Sequence, residues 1–102
     1  KVLAEGLPKG VCLNVNFPKA EHFAGIKVCR MGFGSWTREV ECCKHPRGFN
    51  YYWMTGHYRN DEPSATDNDQ WALEHGYVTI TPSKIDVTDY DMLNKMKDWE
   101  SL

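Results

Sequence analysis

Residues Val11 to Phe17 alternate strictly, with Val11, Leu13, Val15 and Phe17 on one phase and Cys12, Asn14 and Asn16 on the other, until Pro18 interrupts. A period of two commits the segment to an extended strand, because successive Cβ atoms point to opposite faces, and the proline marks its end. Ile26 to Met31 repeats the pattern, with Ile26, Val28 and Arg30 set against Lys27, Cys29 and Met31, and Gly32 and Gly34 break it. Further on, Thr37 to Lys44 mixes charged and apolar residues, Pro46-Arg47-Gly48 makes a turn, and Phe49 to Met54 is aromatic and strand-like. Trp36 to Met54 therefore reads as a long two-stranded arm. Tyr77 to Thr81 is a fifth β-rich stretch, closed by Pro82.

Helical signals separate these strands. His57 to Asp69 holds four acids, a proline and almost nothing to bury, and reads as a loop. Asp69 is placed to cap a short helix, Gln70 to His75, which Gly76 ends. Thr88, with Asp91 three residues on, predicts the cap of a final helix reaching Glu100. In it Met92, Met96 and Trp99, with Leu93 beside them, form an apolar stripe opposite Asn94, Lys95 and Asp98, a stripe that must pack on something. Lys1 to Glu5, ending at Gly6 with Pro8 beyond, reads as the end of a helix, because five residues cannot nucleate one alone in water. Strands and helices together give an α/β class. Residues 1–102 read as one partial domain, with a hairpin arm at 36–54 and a terminal helix at 88–100.

Bulk properties narrow the function. Twelve Lys and Arg against fourteen Asp and Glu leave a net charge of -2, without a basic cluster, so the electrostatic footprint of a nucleic-acid polymer binder is missing. Apolar runs are too short to span a bilayer, and a cytoplasmic location without membrane contact is the expectation. Four cysteines (Cys12, Cys29, Cys42 and Cys43) include no Cys-x-x-Cys, and the neighbours 42 and 43 face opposite ways on a strand. They are expected to be reduced and mostly buried.

No catalytic constellation stands out. His22, His45, His57 and His75 are scattered, without an i, i+4 pair or a cysteine at zinc spacing. Asp67-Asn68-Asp69 starts like a calcium loop, but Trp71 occupies the third ligand position and the sixth holds no glycine. Gly32-Phe33-Gly34 is too short to cradle a phosphate, and Arg47 at its turn reads as a solvated residue before it reads as an anion ligand. Phe49, Tyr51, Tyr52, Trp53 and Tyr58 could stack bases, but without interleaved basic residues they suit a strand core or a protein interface better. A two-stranded arm is marginal alone in water, so one this aromatic suggests burial against a partner subunit.

Several short stretches occur together in a definite order: Leu13-Asn14-Val15-Asn16-Phe17-Pro18, Gly25-Ile26-Lys27-Val28-Cys29-Arg30, His45-Pro46-Arg47-Gly48 with Tyr51-Tyr52-Trp53, Gly76-Tyr77-Val78-Thr79-Ile80-Thr81-Pro82, and Asp86-Val87-Thr88. In this order they resemble the back half of the SurE-type (survival protein E) nucleotidases. The chain departs from that pattern at His45, where the family has Asp, at Asp67-Asn68-Asp69, where it has Gly-Thr-Asp, and at Thr79, where it has Ser. The resemblance implies the C-terminal part of a Rossmann-like α/β fold. It also implies a parent enzyme, a 5′/3′-nucleotidase and acid phosphatase that hydrolyses nucleoside monophosphates with Mg²⁺ or Mn²⁺. The family's metal ligands precede the region matched here, so no catalytic or metal residue is carried over, substrate-binding residues stay open, and this segment alone is expected to be inactive. The terminal helix resembles an element exchanged between protomers, and the hairpin an arm that builds tetramers, which implies a homodimer or homotetramer. Two other readings stay open: an independent module holding a protein partner through the aromatic arm, and a single-strand nucleic-acid binder that the charge disfavours.

Overall fold

The computed structural model describes residues 1–101. A short helix α1 (Val2–Glu5) leads to strand β1 (Val11–Asn16) and then β2 (Gly25–Val28). Four strands follow in a ribbon, β3 (Gly34–Thr37), β4 (Val40–Lys44), β5 (Asn50–Met54) and β6 (His57–Asn60). Helix α2 (Asp69–Glu74), strand β7 (Tyr77–Lys84), helix α3 (Tyr90–Lys95) and a 3-10 turn at Lys97–Ser101 complete the chain, a mixed α/β architecture ending in a helix.

The central sheet has the order β1-β7-β2. β1 runs antiparallel to β7, from Val11 opposite Lys84 to Asn16 opposite Thr79, and β2 runs parallel to it, from Gly25 opposite Tyr77 to Val28 opposite Ile80. Opposed residues share a face, so Leu13, Val15, Ile26, Val28, Val78 and Ile80 form an apolar side, while Asn14, Asn16, Lys27, Thr79 and Thr81 form a polar one. Helix α2 covers part of the polar side. The Lys27 ammonium lies 4.8 Å from the Trp71 ring centre and 4.9 Å from that of Tyr77, and Ala72 and Thr79 are fully buried. The Rossmann-like core implied by the resemblance needs more parallel strands than the single parallel pair among the described residues.

The arm differs from the expected 36–54. β4 and β5 pair from Val40 opposite Met54 to Lys44 opposite Asn50, as alternation and turn chemistry require. Trp36 belongs to a second ladder, β3 with β6, in which it faces Tyr58, so the ribbon runs from Gly34 to Asn60 and the expected loop at 57–69 begins only after Asn60. Between the ladders Arg38 adopts a left-handed φ of 53° and Gly56 a φ of 154°. The Thr55 amide and hydroxyl bridge the step by donating to the carbonyls of Glu39 and Arg38 at 2.8 and 2.7 Å.

Four further expectations are corrected. Pro82 does not close β7 but lies inside it, opposite Leu13. The Ile80 carbonyl accepts from the Cys29 amide on the β2 side, so Pro82, two residues on, turns its donor-less nitrogen where β2 has already ended and removes no ladder bond. Asn68, not Asp69, caps α2, its Oδ1 accepting from the Trp71 amide at 2.8 Å. Asp89, not Thr88, caps α3, whose regular part stops at Lys95 before the 3-10 turn. The four cysteines are unpaired, as expected, but only Cys29 is buried. Met92, Leu93, Met96 and Trp99, the expected apolar stripe, all remain exposed.

Candidate functional site

β2 stops at Val28, but the Cys29 amide still donates to the Ile80 carbonyl, and Arg30 bridges to Asn68 ahead of α2. Its guanidinium uses all five N–H groups. Nη1 and Nη2 donate to the two oxygens of Glu62 at 2.8 and 2.9 Å, Nε and Nη2 to those of Asp67 at 2.9 and 2.8 Å, and Nη1 also reaches the Met31 carbonyl. Glu62 Oε1 accepts in addition from the Phe33 amide and from Asn68 Nδ2, each at 2.9 Å. These donors, Arg30 foremost, hold the Glu62 carboxyl down to about 2. Arg30 lowers Asp67 in the same way, and both carboxylates raise Arg30. Of the stretch that began like a calcium loop, Asp67, a departure from the family pattern, is thus one jaw of an arginine clasp, with Glu62 as the other, while Asp69 turns to the Gly32 amide.

The clasp fixes the segment 31–34 beside α2, where the Gly32 amide donates to Asp69 Oδ1 at 2.8 Å. A Cβ on Gly32 would stand 3.2 Å from that oxygen, so the close approach uses the missing side chain. The result is an open cleft of about 620 Å³ at the carboxyl end of the parallel pair β2–β7, with Asn14, Trp36, Tyr58, Asp69 and Gln70 among its lining. Trp36 and Tyr58 meet edge to face, with ring centres 5.8 Å apart. Tyr58 lies across Gly34, where a Cβ would overlap its ring and hydroxyl. Partial desolvation, with the charge of Asp69 nearby, raises the Tyr58 phenol.

The other residues weighed from sequence are not brought together. His22, His45, His57 and His75 stay on separate elements, and among the described residues no three His, Cys, Asp or Glu side chains are placed to hold a metal ion. Arg47 sits on an exposed turn where its amide donates to His45 Nδ1 at 3.1 Å, and His45 stacks on Phe49 at 4.3 Å. His45 thus offers the acceptor that an aspartate would offer in an Asx turn. Tyr52 and Trp53 are exposed on β5. No helix among the described residues is long and apolar enough to cross a membrane. Sequence reasoning weighed Tyr58 as a base-stacking aromatic, Asp69 as a helix cap and Gly32 and Gly34 as a loop, but did not bring them with Asn14, Trp36 and Gln70 into one cleft, because these residues come from separate elements.

Comparison with known proteins fits this architecture. No family model matches the chain. It is 52% identical over 99 residues to the 5′-nucleotidase SurE of Phocaeicola vulgatus, covering 97% of this chain and 38% of that protein. It is 42% identical over 99 residues to the 5′-nucleotidase SurE of Bacteroides fragilis, covering 97% of this chain and 39% of that protein. Among solved structures, the SurE protein from Aquifex aeolicus superposes with a TM-score of 0.66 at 35% identity, over 97% of this chain and 40% of that one. The chain thus spans about two fifths of the length of these relatives. The motif order, the strand arrangement that carries it and these matches agree: the chain belongs to the SurE family and fits its C-terminal part.

Proposed function

We propose that the protein carrying this chain hydrolyses nucleoside monophosphates to nucleoside and phosphate, and that the 102 residues here shape and assemble the enzyme and leave the phosphoryl chemistry to other residues. The observation that carries this reading is the 52% identity to a protein named 5′-nucleotidase SurE over nearly the whole chain. The residues present do not fit a divalent metal, since Glu62 and Asp67 are committed to Arg30 and no other acidic cluster converges among the described residues. No step through a metal is therefore derived from them.

Exposed apolar surface supports the assembling role. Ile26 and Val28 on the apolar side of the sheet, Tyr52 and Trp53 on the ribbon, and Met92 and Trp99 on the terminal segment are all exposed. We assign the sheet face to the remainder of the full-length protein, and the ribbon and terminal helix to other copies of it. A cytoplasmic location goes with this reading. Phosphate release from AMP by the full-length protein with Mg²⁺ or Mn²⁺, abolished by a chelator, is the expected result. No release from any nucleoside monophosphate, or robust turnover by this chain alone, would overturn the proposal.

A further inference from the structure

The cleft beside the arginine clasp has a chemistry that the clasp itself does not explain. Its volume, about 620 Å³, suits a small molecule. Its position, beyond the carboxyl end of a parallel strand pair, is where open α/β sheets receive ligands. One wall is aromatic, Trp36 against Tyr58. The absence of a side chain at Gly34 lets the Tyr58 ring lie across the backbone there.

The polar groups around it are spoken for only in part. Asp69 Oδ1 accepts from the Gly32 amide, but Oδ2 has no partner among the described residues. Asn14 Oδ1 accepts from Asn16 Nδ2 at 3.2 Å, which leaves the Asn14 amide hydrogens for a ligand. Gln70 donates to Glu74 and keeps its carbonyl oxygen. No lysine or arginine lines the cleft, and Arg30, close to its rim, has every N–H occupied. An anionic phosphoryl group would meet the carboxylate of Asp69 with no cation to compensate. A neutral, flat, hydroxyl-bearing group would find a ring surface, a carboxylate acceptor and amide donors and acceptors.

We propose that this cleft seats the nucleoside part of a nucleoside monophosphate, with the base against Trp36 and Tyr58, the ribose hydroxyls donating to Asp69 Oδ2, and the phosphate held outside. The inference rests on the nucleotidase reading above and adds to it the residues that recognise the nucleoside and a preference for ribose over deoxyribose.

The test compares AMP, 2′-deoxy-AMP and glycerol phosphate as substrates of the full-length, metal-loaded protein, alongside fluorescence titration with adenosine. Losing a hydrogen bond to a charged acceptor is worth about tenfold, so the wild type should favour AMP over 2′-deoxy-AMP by about that factor in kcat/KM. Asp69→Asn, which keeps an oxygen for the Gly32 amide, should bring the ratio close to one. Trp36→Leu should lower kcat/KM for AMP about tenfold more than for glycerol phosphate, and should weaken adenosine binding. Equal losses on all three substrates, or an unchanged ribose preference in Asp69→Asn, would overturn the cleft assignment. A wild type that releases no phosphate from any of the three would overturn the nucleotidase reading, and adenosine titration then decides the cleft, since binding that Trp36→Leu leaves unaltered sinks it.

Discussion

Asn68 is a fully buried side chain with two jobs, capping α2 through Oδ1 and donating to Glu62 through Nδ2. Asn68→Ala removes a helix cap and strands buried partners, so a loss of about 2 kcal/mol is expected in urea unfolding. Glu62 gives a pH signature. Its carboxyl sits at about 2 against an ordinary 4.5, so it stabilises the folded state fully above the ordinary value and loses that contribution as pH falls toward 2. The unfolding midpoint should therefore drop between about pH 4.5 and 2. Glu62→Gln should flatten the profile, leaving a residual slope from Asp67, whose carboxyl is lowered in the same direction. The buried hydroxyls of Thr79 and Thr81 have no hydrogen-bond partner among the described residues. Thr79→Val should be neutral or stabilising by up to about 1 kcal/mol by the same unfolding assay, because a desolvated, unmatched hydroxyl is exchanged for a methyl.

Elements show where pattern and geometry part. The alternation at 11–17 predicts β1 to within a residue, because one strand's faces are a local property. The arm was legible in its turn and in β4 and β5, but His57–Asn60 looked like a loop because polar residues suffice where a strand needs only Trp36 and Tyr58 to pack across it. Gly34 makes that pairing possible. Gly34→Ala should push Tyr58 aside and cost about 1–3 kcal/mol, with the change visible in near-ultraviolet circular dichroism of the aromatic pair. Pro82 reads as a terminator in sequence and turns out to be permitted, since the neighbouring strand ends first.

At the scale of the molecule the chain is spread out. Its radius of gyration is 20.0 Å, where a compact domain of this length has about 13 Å. Its accessible surface is 8935 Å², where a compact monomer of this mass exposes about 5,900 Å². Among the described residues the buried apolar side chains are few, Pro18, Cys29, Ala72 and Val78. A chain with so little core draws stability from whatever covers its faces. Replacing Met92 and Met96 together by Asp should reduce the molar mass of the full-length protein in light scattering by at least half, if the terminal segment joins copies as proposed; an unchanged mass would remove that segment from the interface.

The strands with strict alternation, the turn at Pro46-Arg47-Gly48 and the family are legible in the residues alone, since each is written in neighbouring residues or in the order of short motifs. Folding in three dimensions settles the rest: Asn68 rather than Asp69 caps α2, Arg30 gathers Glu62 and Asp67 from 32 and 37 residues away, and Asn14, Trp36, Tyr58 and Asp69 line one cleft. Local pattern records which way a side chain faces, whereas partners that distant in the chain are chosen by the path of the backbone between them.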